Sequence, residues 1–431
     1  MEKIAVIGLG FVGLPLSLTY TLHGIKVYGI DINEEYVEKL KNGHTHVYEE
    51  YNGKCIEEIL KESLDKGLFI PTTSLEEGLK EVQNIIVTVG IPIENDNNVK
   101  MEAFIEAIKD IGKNLKKGDL ILLRSTVPPL TTKNIVKPIL EEESGFVVGK
   151  DFYLAYSSER IAEGRAFEEF QTMPVAVAGM DDESTKRGKQ LLELINPNTI
   201  EASSPEVVEI SKLIENASRD VNIAIVNELS SLTDALDIDI MEVISVANTH
   251  KRVKLLTPGI GVGGHCIPFA SKYIFYSSDK LSLEMPLLHA ARKVNDSRPI
   301  DIVNRIEKTL KTLGKSIEET KVAFLGIAMK DNSSDISESP AIKLKEIFKR
   351  KGAKVEFFDP KVKEALGDMV TDEYKALKDA DVVVIPIVQK EINYDINTWT
   401  KYIKKNAIIF DARGIIDKNT AKNFGYKYLS L

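Results

Sequence analysis

Lys3-Ile4-Ala5-Val6-Ile7-Gly8-Leu9-Gly10-Phe11-Val12-Gly13 is an apolar strand pattern running into three glycines at G-x-G-x-x-G spacing. A helical pattern, Leu14 to Leu22, follows. A second apolar strand, Lys26 to Ile30, ends at Asp31. The glycines permit a tight turn and let a pyrophosphate approach the helix N-terminus, while the acid at the next strand end can bond ribose hydroxyls. This is the opening βαβ unit of a dinucleotide-binding fold. An acid rather than a basic residue at position 31 favours NAD over NADP. Gly8, Gly10, Phe11, Val12, Gly13 and Asp31 are the expected cofactor contacts.

Working outward, Asn84 to Val89 and Leu120 to Leu123 repeat the buried-strand pattern. The second ends in Arg124-Ser125-Thr126-Val127-Pro128-Pro129. Residues just beyond the C-terminal strand ends line the ligand crevice of an open parallel sheet. Ser125 and Thr126 are candidates to face the cofactor, with helix capping as the alternative. Phe152 to Tyr156 leads to Ser157-Ser158-Glu159-Arg160-Ile161-Ala162-Glu163-Gly164, whose two acids sit either in a solvated turn or at the mouth of the site.

Near the other end, Lys321 to Gly326 is a strand and turn like the first, but without the full glycine signature. A helix from Ala341 to Lys351 and strands at Lys354 to Asp359, Asp381 to Ile385 and Ala407 to Asp411 complete a second parallel sheet, with Arg413 just past its last strand. Between the halves, Ser204 to about Ala247 reads as strongly helical. There Lys212, Asn216 and Arg219 fall at i, i+4 and i+7 on one stripe. Such a stripe is ordinarily a solvated face, yet Lys, Asn and Arg without paired carboxylates suit a polyoxygenated anion. His250, Lys251 and Arg252 suggest diphosphate or sugar contact, or a basic helix C-terminus. The expected fold is α/β: two Rossmann-like doubly wound parallel-sheet domains joined by a helical central domain. The expected boundaries are 1–200 for NAD binding, 201–300 for the helical region and 315–431 for the second sheet.

Pro258-Gly259-Ile260-Gly261-Val262-Gly263-Gly264-His265-Cys266-Ile267-Pro268 carries four glycines into a cysteine. A thiolate attacks carbonyl carbon readily, so the run suits covalent catalysis; a packed structural cysteine is the alternative.

Composition sets the limits. A chain of 431 residues with 43% hydrophobic and 28% charged content is an ordinary globular protein of more than one domain. A net charge of -9 argues against nucleic acid as a partner. Two cysteines suggest no disulfide framework, and no apolar run reaches membrane-spanning length, so the expected setting is cytoplasmic, without membrane attachment. No metal site is expected.

Together these pieces resemble the UDP-glucose/GDP-mannose dehydrogenase family over nearly the whole chain. The most specific motifs are GVGGHCIP around Cys266, KLIENASRDVNIAIVNE from Lys212, RSTVPP from Arg124 and SERIAEG from Ser158. The GGHC and RDVNIA forms are most similar to the branch acting on UDP-N-acetylhexosamines, that for UDP-N-acetyl-D-mannosamine in particular. The resemblance implies a double oxidation of the sugar C6 alcohol to a carboxylate at the cost of two NAD, through a thiohemiacetal and a thioester on Cys266. It implies that Lys212 is the acid/base with Asn216 beside it, that Glu159 and Thr126 hold the hydrolytic water, and that Ser125 and Glu163 touch NAD. Arg160, Ile161, Lys212, Asn216, Arg219, His250, Gly263, Lys330 and Arg413 are implied nucleotide-sugar contacts. Arg252 is implied to reach a neighbouring subunit's substrate, in a homodimer or higher homo-oligomer. Where the family carries Asp four residues after the cysteine this chain has Ala270, and where it carries Arg before the Ser339-Pro340 pair this chain has Ser337. The alternatives are a UDP-N-acetylglucosamine or UDP-glucose dehydrogenase, or a nucleotide-sugar-binding paralogue with impaired turnover.

Overall fold

The computed structural model describes residues 2–93, 99–363 and 366–431. It contains two compact units, Met1–Glu215 with Lys272–Leu283, and Asn216–Ser271 with Glu284–Leu431.

The first unit is built on an eight-stranded sheet. In chain order its strands are β1 (Lys3–Ile7), β2 (Lys26–Ile30), β3 (Phe69–Thr72), β4 (Asn84–Val87), β5 (Leu120–Leu123), β6 (Tyr153–Tyr156), β7 (Val175–Gly179) and β8 (Thr199–Glu201). Their spatial order is β8-β7-β6-β5-β4-β1-β2-β3. Every pairing is parallel except β6 with β7. Strands buried on both faces read as continuous apolar runs, which is why β4 (Asn-Ile-Ile-Val) and β5 (Leu-Ile-Leu-Leu) were legible. The order reverses after β1, so the crevice beyond β1 and β4 is the topological switch point, opposite helix α1 (Gly13–Leu22).

The expected continuous helix to Ala247 is two helices, α2 (Pro205–Ala235) and α3 (Ile240–Ala247). Asp237 takes a left-handed conformation (φ 53°), and Asp239 caps α3 by accepting from the Met241 N–H at 2.8 Å. Aspartate competes with the helical backbone in this way, and two of them within three residues outweigh the apolar periodicity. Helices α4 (Cys266–Lys280) and α5 (Pro286–Thr312) complete the helical central region.

The second unit carries a five-stranded, wholly parallel sheet: β9 (Lys321–Leu325), β10 (Lys354–Phe358), β11 (Val382–Ile385), β12 (Ile408–Asp411) and β13 (Lys427–Ser430), ordered β10-β9-β11-β12-β13. Helix α6 (Pro340–Arg350) packs on it through Ala341, Leu344 and Phe348, all fully buried. The α/β class with two sheets, one wholly and one largely parallel, and a helical middle is the expected fold.

Candidate active site

The opening glycines of the first unit have distinct tasks. Gly8 sits at φ 90°, and its N–H donates to the Ile30 carbonyl at 2.8 Å, carrying the chain across the tip of β2. A Cβ on Gly13 would lie 1.8 Å from the Gly8 carbonyl oxygen, so only glycine lets α1 start this close to β1. A Cβ on Gly10 would meet nothing within 4 Å; that face is open. Helix α1 begins without a side-chain cap and without an acid in its first turn, which leaves its positive end for an anion. Asp31 accepts from Leu9 N–H at 2.8 Å and Asn33 N–H at 3.0 Å, holding its carboxylate against the glycine turn. Phe11 is half exposed and meets His46 edge-on. These residues fit NAD.

At the ends of neighbouring strands β5 and β6, Arg124 and Glu159 form a buried ion pair. The other oxygen of Glu159 accepts from the N–H groups of Arg160 (2.6 Å) and Ile161 (3.0 Å). Glu159 is thus a carboxylate of fixed orientation. Ser125 is buried, its hydroxyl 3.4 Å from the Val87 carbonyl rather than capping a helix; Thr126 and Glu163 are half-buried. Arg160, expected on the nucleotide sugar, pairs with Glu215 and donates to the Pro174 carbonyl at 3.0 Å. Two further acids had no sequence signature. Buried Glu49 accepts from Gly164 N–H (2.7 Å) and Ala166 N–H (3.0 Å), anchoring the loop that carries Glu159 and Glu163. Glu209 accepts from Leu130 N–H (2.7 Å) and Thr132 N–H (2.8 Å), tying the segment after Thr126 to the helix turn before buried Lys212. Burial raises the Glu209 carboxyl above its ordinary range, despite hydrogen bonds from Thr132 and Leu130 that lower it.

In the second unit Cys266 is the first residue of α4 and its side chain is exposed. Asn216 donates to the Cys266 carbonyl at 3.1 Å. The glycines before it thread beneath the 329–340 loop. A Cβ on Gly263 would lie 2.7 Å from Pro340 Cδ, and one on Gly264 (φ 75°) 2.4 Å from Met329 Sδ. The Gly264 N–H donates to the Ser337 carbonyl at 2.9 Å, a backbone role that any residue at 337 fills. Ala270, fully buried, lies one helical turn beyond Cys266. A cavity of about 300 Å³ is lined by Gly259, Gly261, Lys330, Asp331, Pro340 and Arg413, among others. Arg413 pairs there with Asp331. Arg219, His250 and Arg252 are exposed, and His250 Nδ1 accepts from Arg252 N–H at 3.3 Å.

The two halves use one turn geometry differently. Gly326 repeats Gly8: φ 90°, with its N–H on the Phe358 carbonyl at 2.8 Å. Asp359 repeats Asp31, accepting from Ile327 N–H at 2.8 Å. Asp359, however, is fully buried and covered by Gln389, whose Nε2 donates to it at 3.0 Å. A buried, saturated carboxylate does not read a ribose, so the second half keeps the turn and loses the dinucleotide contact. Among the described residues no cluster of His, Cys, Asp and Glu is arranged to hold a metal, and no helix is long and apolar enough to cross a membrane.

Three models of the UDP-glucose/GDP-mannose dehydrogenase family match the chain: the NAD binding domain over residues 2–197, the central domain over 206–297 and the UDP binding domain over 323–418. A UDP-N-acetyl-D-mannosamine dehydrogenase of Pyrococcus horikoshii is 32% identical over 416 residues, 96% of each chain. A solved UDP-D-ManNAc dehydrogenase structure from that organism superposes with a TM-score of 0.91 at 30% identity, covering 100% of this chain and 99% of the other. A UDP-glucose dehydrogenase from Pyrobaculum islandicum gives 0.86 at 26% identity, covering 100% and 97%.

Proposed function

Because the chain belongs to the UDP-glucose/GDP-mannose dehydrogenase family, an NAD-dependent oxidoreductase family, we propose that it oxidises the C6 alcohol of UDP-N-acetyl-D-mannosamine to the uronic acid. The observation that carries the chemistry is an exposed thiol at the first residue of a helix, preceded by Gly263 and Gly264, where an added Cβ would come within 2.7 Å of Pro340 and 2.4 Å of Met329. The substrate epimer rests on the relatives' names and on the GGHC and RDVNIA motifs.

Bound NAD supplies the hydride acceptor in each of two oxidations. The Lys212 amine takes the C6 hydroxyl proton as the first hydride leaves, giving an aldehyde. The Cys266 sulfur adds to that carbonyl carbon, and Lys212 with Asn216 steadies the oxyanion of the thiohemiacetal. Loss of a second hydride leaves a thioester. Water held by Thr126 and Glu159 adds to it, the C–S bond breaks, and the thiol is regenerated with a carboxylate product. Lys330 and Arg413, around the cavity of the second unit, serve the nucleotide diphosphate. Arg160, Ile161, Arg219, His250 and Gly263 are the remaining proposed sugar-nucleotide contacts. We place the reaction in the cytoplasm, where an exposed thiol stays reduced.

NADH appearance across UDP-N-acetylmannosamine, UDP-N-acetylglucosamine, UDP-glucose and GDP-mannose tests the assignment. The expected result is two NADH per sugar and the highest kcat/KM with the first. Ala270, an apolar methyl one turn from the thiol, favours a second reading, a nucleotide-sugar-binding paralogue with impaired turnover. Saturable UDP-sugar binding without NADH would select it.

A homodimer at least is proposed. Ile225, Leu229 and Leu232 are exposed at i, i+4 and i+7 of α2, and Leu236 is exposed just past its end, an apolar stripe suited to a second copy. Leu229→Glu with Leu232→Glu is expected to halve the mass seen by light scattering; a wild-type mass that is already monomeric would refute the dimer.

A further inference from the structure

Residues 253–265, the approach to Cys266, form neither helix nor strand. Their backbone groups therefore find partners elsewhere or in water. Asparagine side chains, which carry the same donor and acceptor as a peptide, provide several of them. Asn222 accepts from Leu256 N–H (2.7 Å) and donates to the Lys254 carbonyl (2.8 Å). Asn248 does the same with Leu255 alone, at 2.7 and 3.0 Å. Asn227 accepts from Gly259 N–H at 2.8 Å.

An amide side chain is nearly symmetric in shape, so something must decide which end faces the loop. At Asn227 the deciding group is Asp220. Its carboxylate only accepts when ionised, and Arg292 Nη1 donates to it at 2.8 Å. Asn295 must then turn its Nδ2 towards Asp220, whose Oδ1 accepts at 2.8 Å and whose main-chain carbonyl accepts at 3.0 Å, which leaves its own Oδ1 for Asn227 Nδ2 (2.9 Å). That leaves Asn227 Oδ1 for Gly259. Asp220, Asn295 and Asn227 are each 1% exposed, so water does not compete. The same carboxylate accepts from Ser271 Oγ at 3.2 Å, five residues into the cysteine helix.

We propose that Asp220, Asn295 and Asn227 are positioning residues: a one-way hydrogen-bond relay that holds the chain before and after Cys266 and so sets the sulfur for attack on the aldehyde. This rests on Cys266 being the nucleophile. Buried polar networks of this kind fix a unique geometry when every member is satisfied, and mispair as a unit when one is reversed.

Asn295→Asp reverses one member by setting an acceptor against Asp220. Asn227→Ala breaks the relay at its other end by leaving the Gly259 N–H unpaired. In the ligand-free protein, amide exchange of a peptide spanning 255–265 is expected to quicken about 10-fold or more in each variant. kcat is expected to fall roughly 30-fold or more in each, with KM for NAD within about twofold. Unchanged exchange in either variant overturns the relay. Should Asn295→Asp not fold, Asn227→Ala is read alone by the same two measurements. Faster exchange at unchanged kcat overturns the positioning role if Cys266→Ser is inactive. If Cys266→Ser turns over normally, it is the nucleophile assignment that fails.

Discussion

Cys266→Ser is expected to stop acid formation, lowering kcat for the two-NADH reaction by about 10³-fold or more. A hydroxyl in place of the thiol is a far weaker nucleophile towards the aldehyde at neutral pH, and the thioester route closes. UDP-sugar affinity is expected to stay within about twofold, because Lys330 and Arg413 line a cavity whose walls do not include the sulfur. NADH yield per sugar and calorimetric binding of the UDP-sugar check the two halves of this expectation separately. Two NADH per sugar at an undiminished rate would remove Cys266 from the chemistry.

The second large effect is at the cofactor turn, where two glycines are expected to fail differently. In Gly13→Ala the new Cβ collides with the Gly8 carbonyl oxygen at 1.8 Å and with Thr88 Oγ1 at 2.6 Å. The first partner is backbone and cannot step aside. Overpacking of this kind costs about 3 kcal/mol or more, a fall of roughly 6–12 °C in the melting of a unit this size. NAD affinity is lost with the turn. Gly10→Ala meets no atom within 4 Å, so melting is expected to be unchanged while NAD binding weakens, its methyl entering the open face. Thermal melts and NAD titrations of both variants check the contrast. Equal melting of the two would contradict the division of roles.

How much of this was legible in the sequence depended on whether the signal was local. The β1 strand, the glycine spacing and Asp31 lie within one βαβ unit, and strands such as Val382–Ile385 are buried on both faces and read as plain apolar runs. The cysteine at the end of a glycine run was equally visible. What it did not reveal was that Cys266 begins a helix, or that Gly263 and Gly264 are required by Pro340 and Met329, more than sixty residues away. Asn222 lay in plain view near a polar stripe thought suited to an anionic ligand. Its amide instead bridges Lys254 and Leu256, a long-range pairing with no periodicity to betray it. The pairing of Arg160 with Glu215 was no more readable. Arg124 appeared only as a motif letter before it proved to orient Glu159, and nothing near Asp359 in the sequence foretold that Gln389 covers it. In each case the deciding partner comes from a distant part of the chain.

The covalent step itself is open to one direct measurement: intact mass of enzyme mixed with NAD and UDP-N-acetylmannosamine and quenched in acid within the first turnover. A population heavier by one oxidised sugar nucleotide, mapped by peptide digestion to Cys266 and lost in Cys266→Ser, is the expected result. Full NADH formation with no such species at any quench time, or an adduct on another residue, would contradict it.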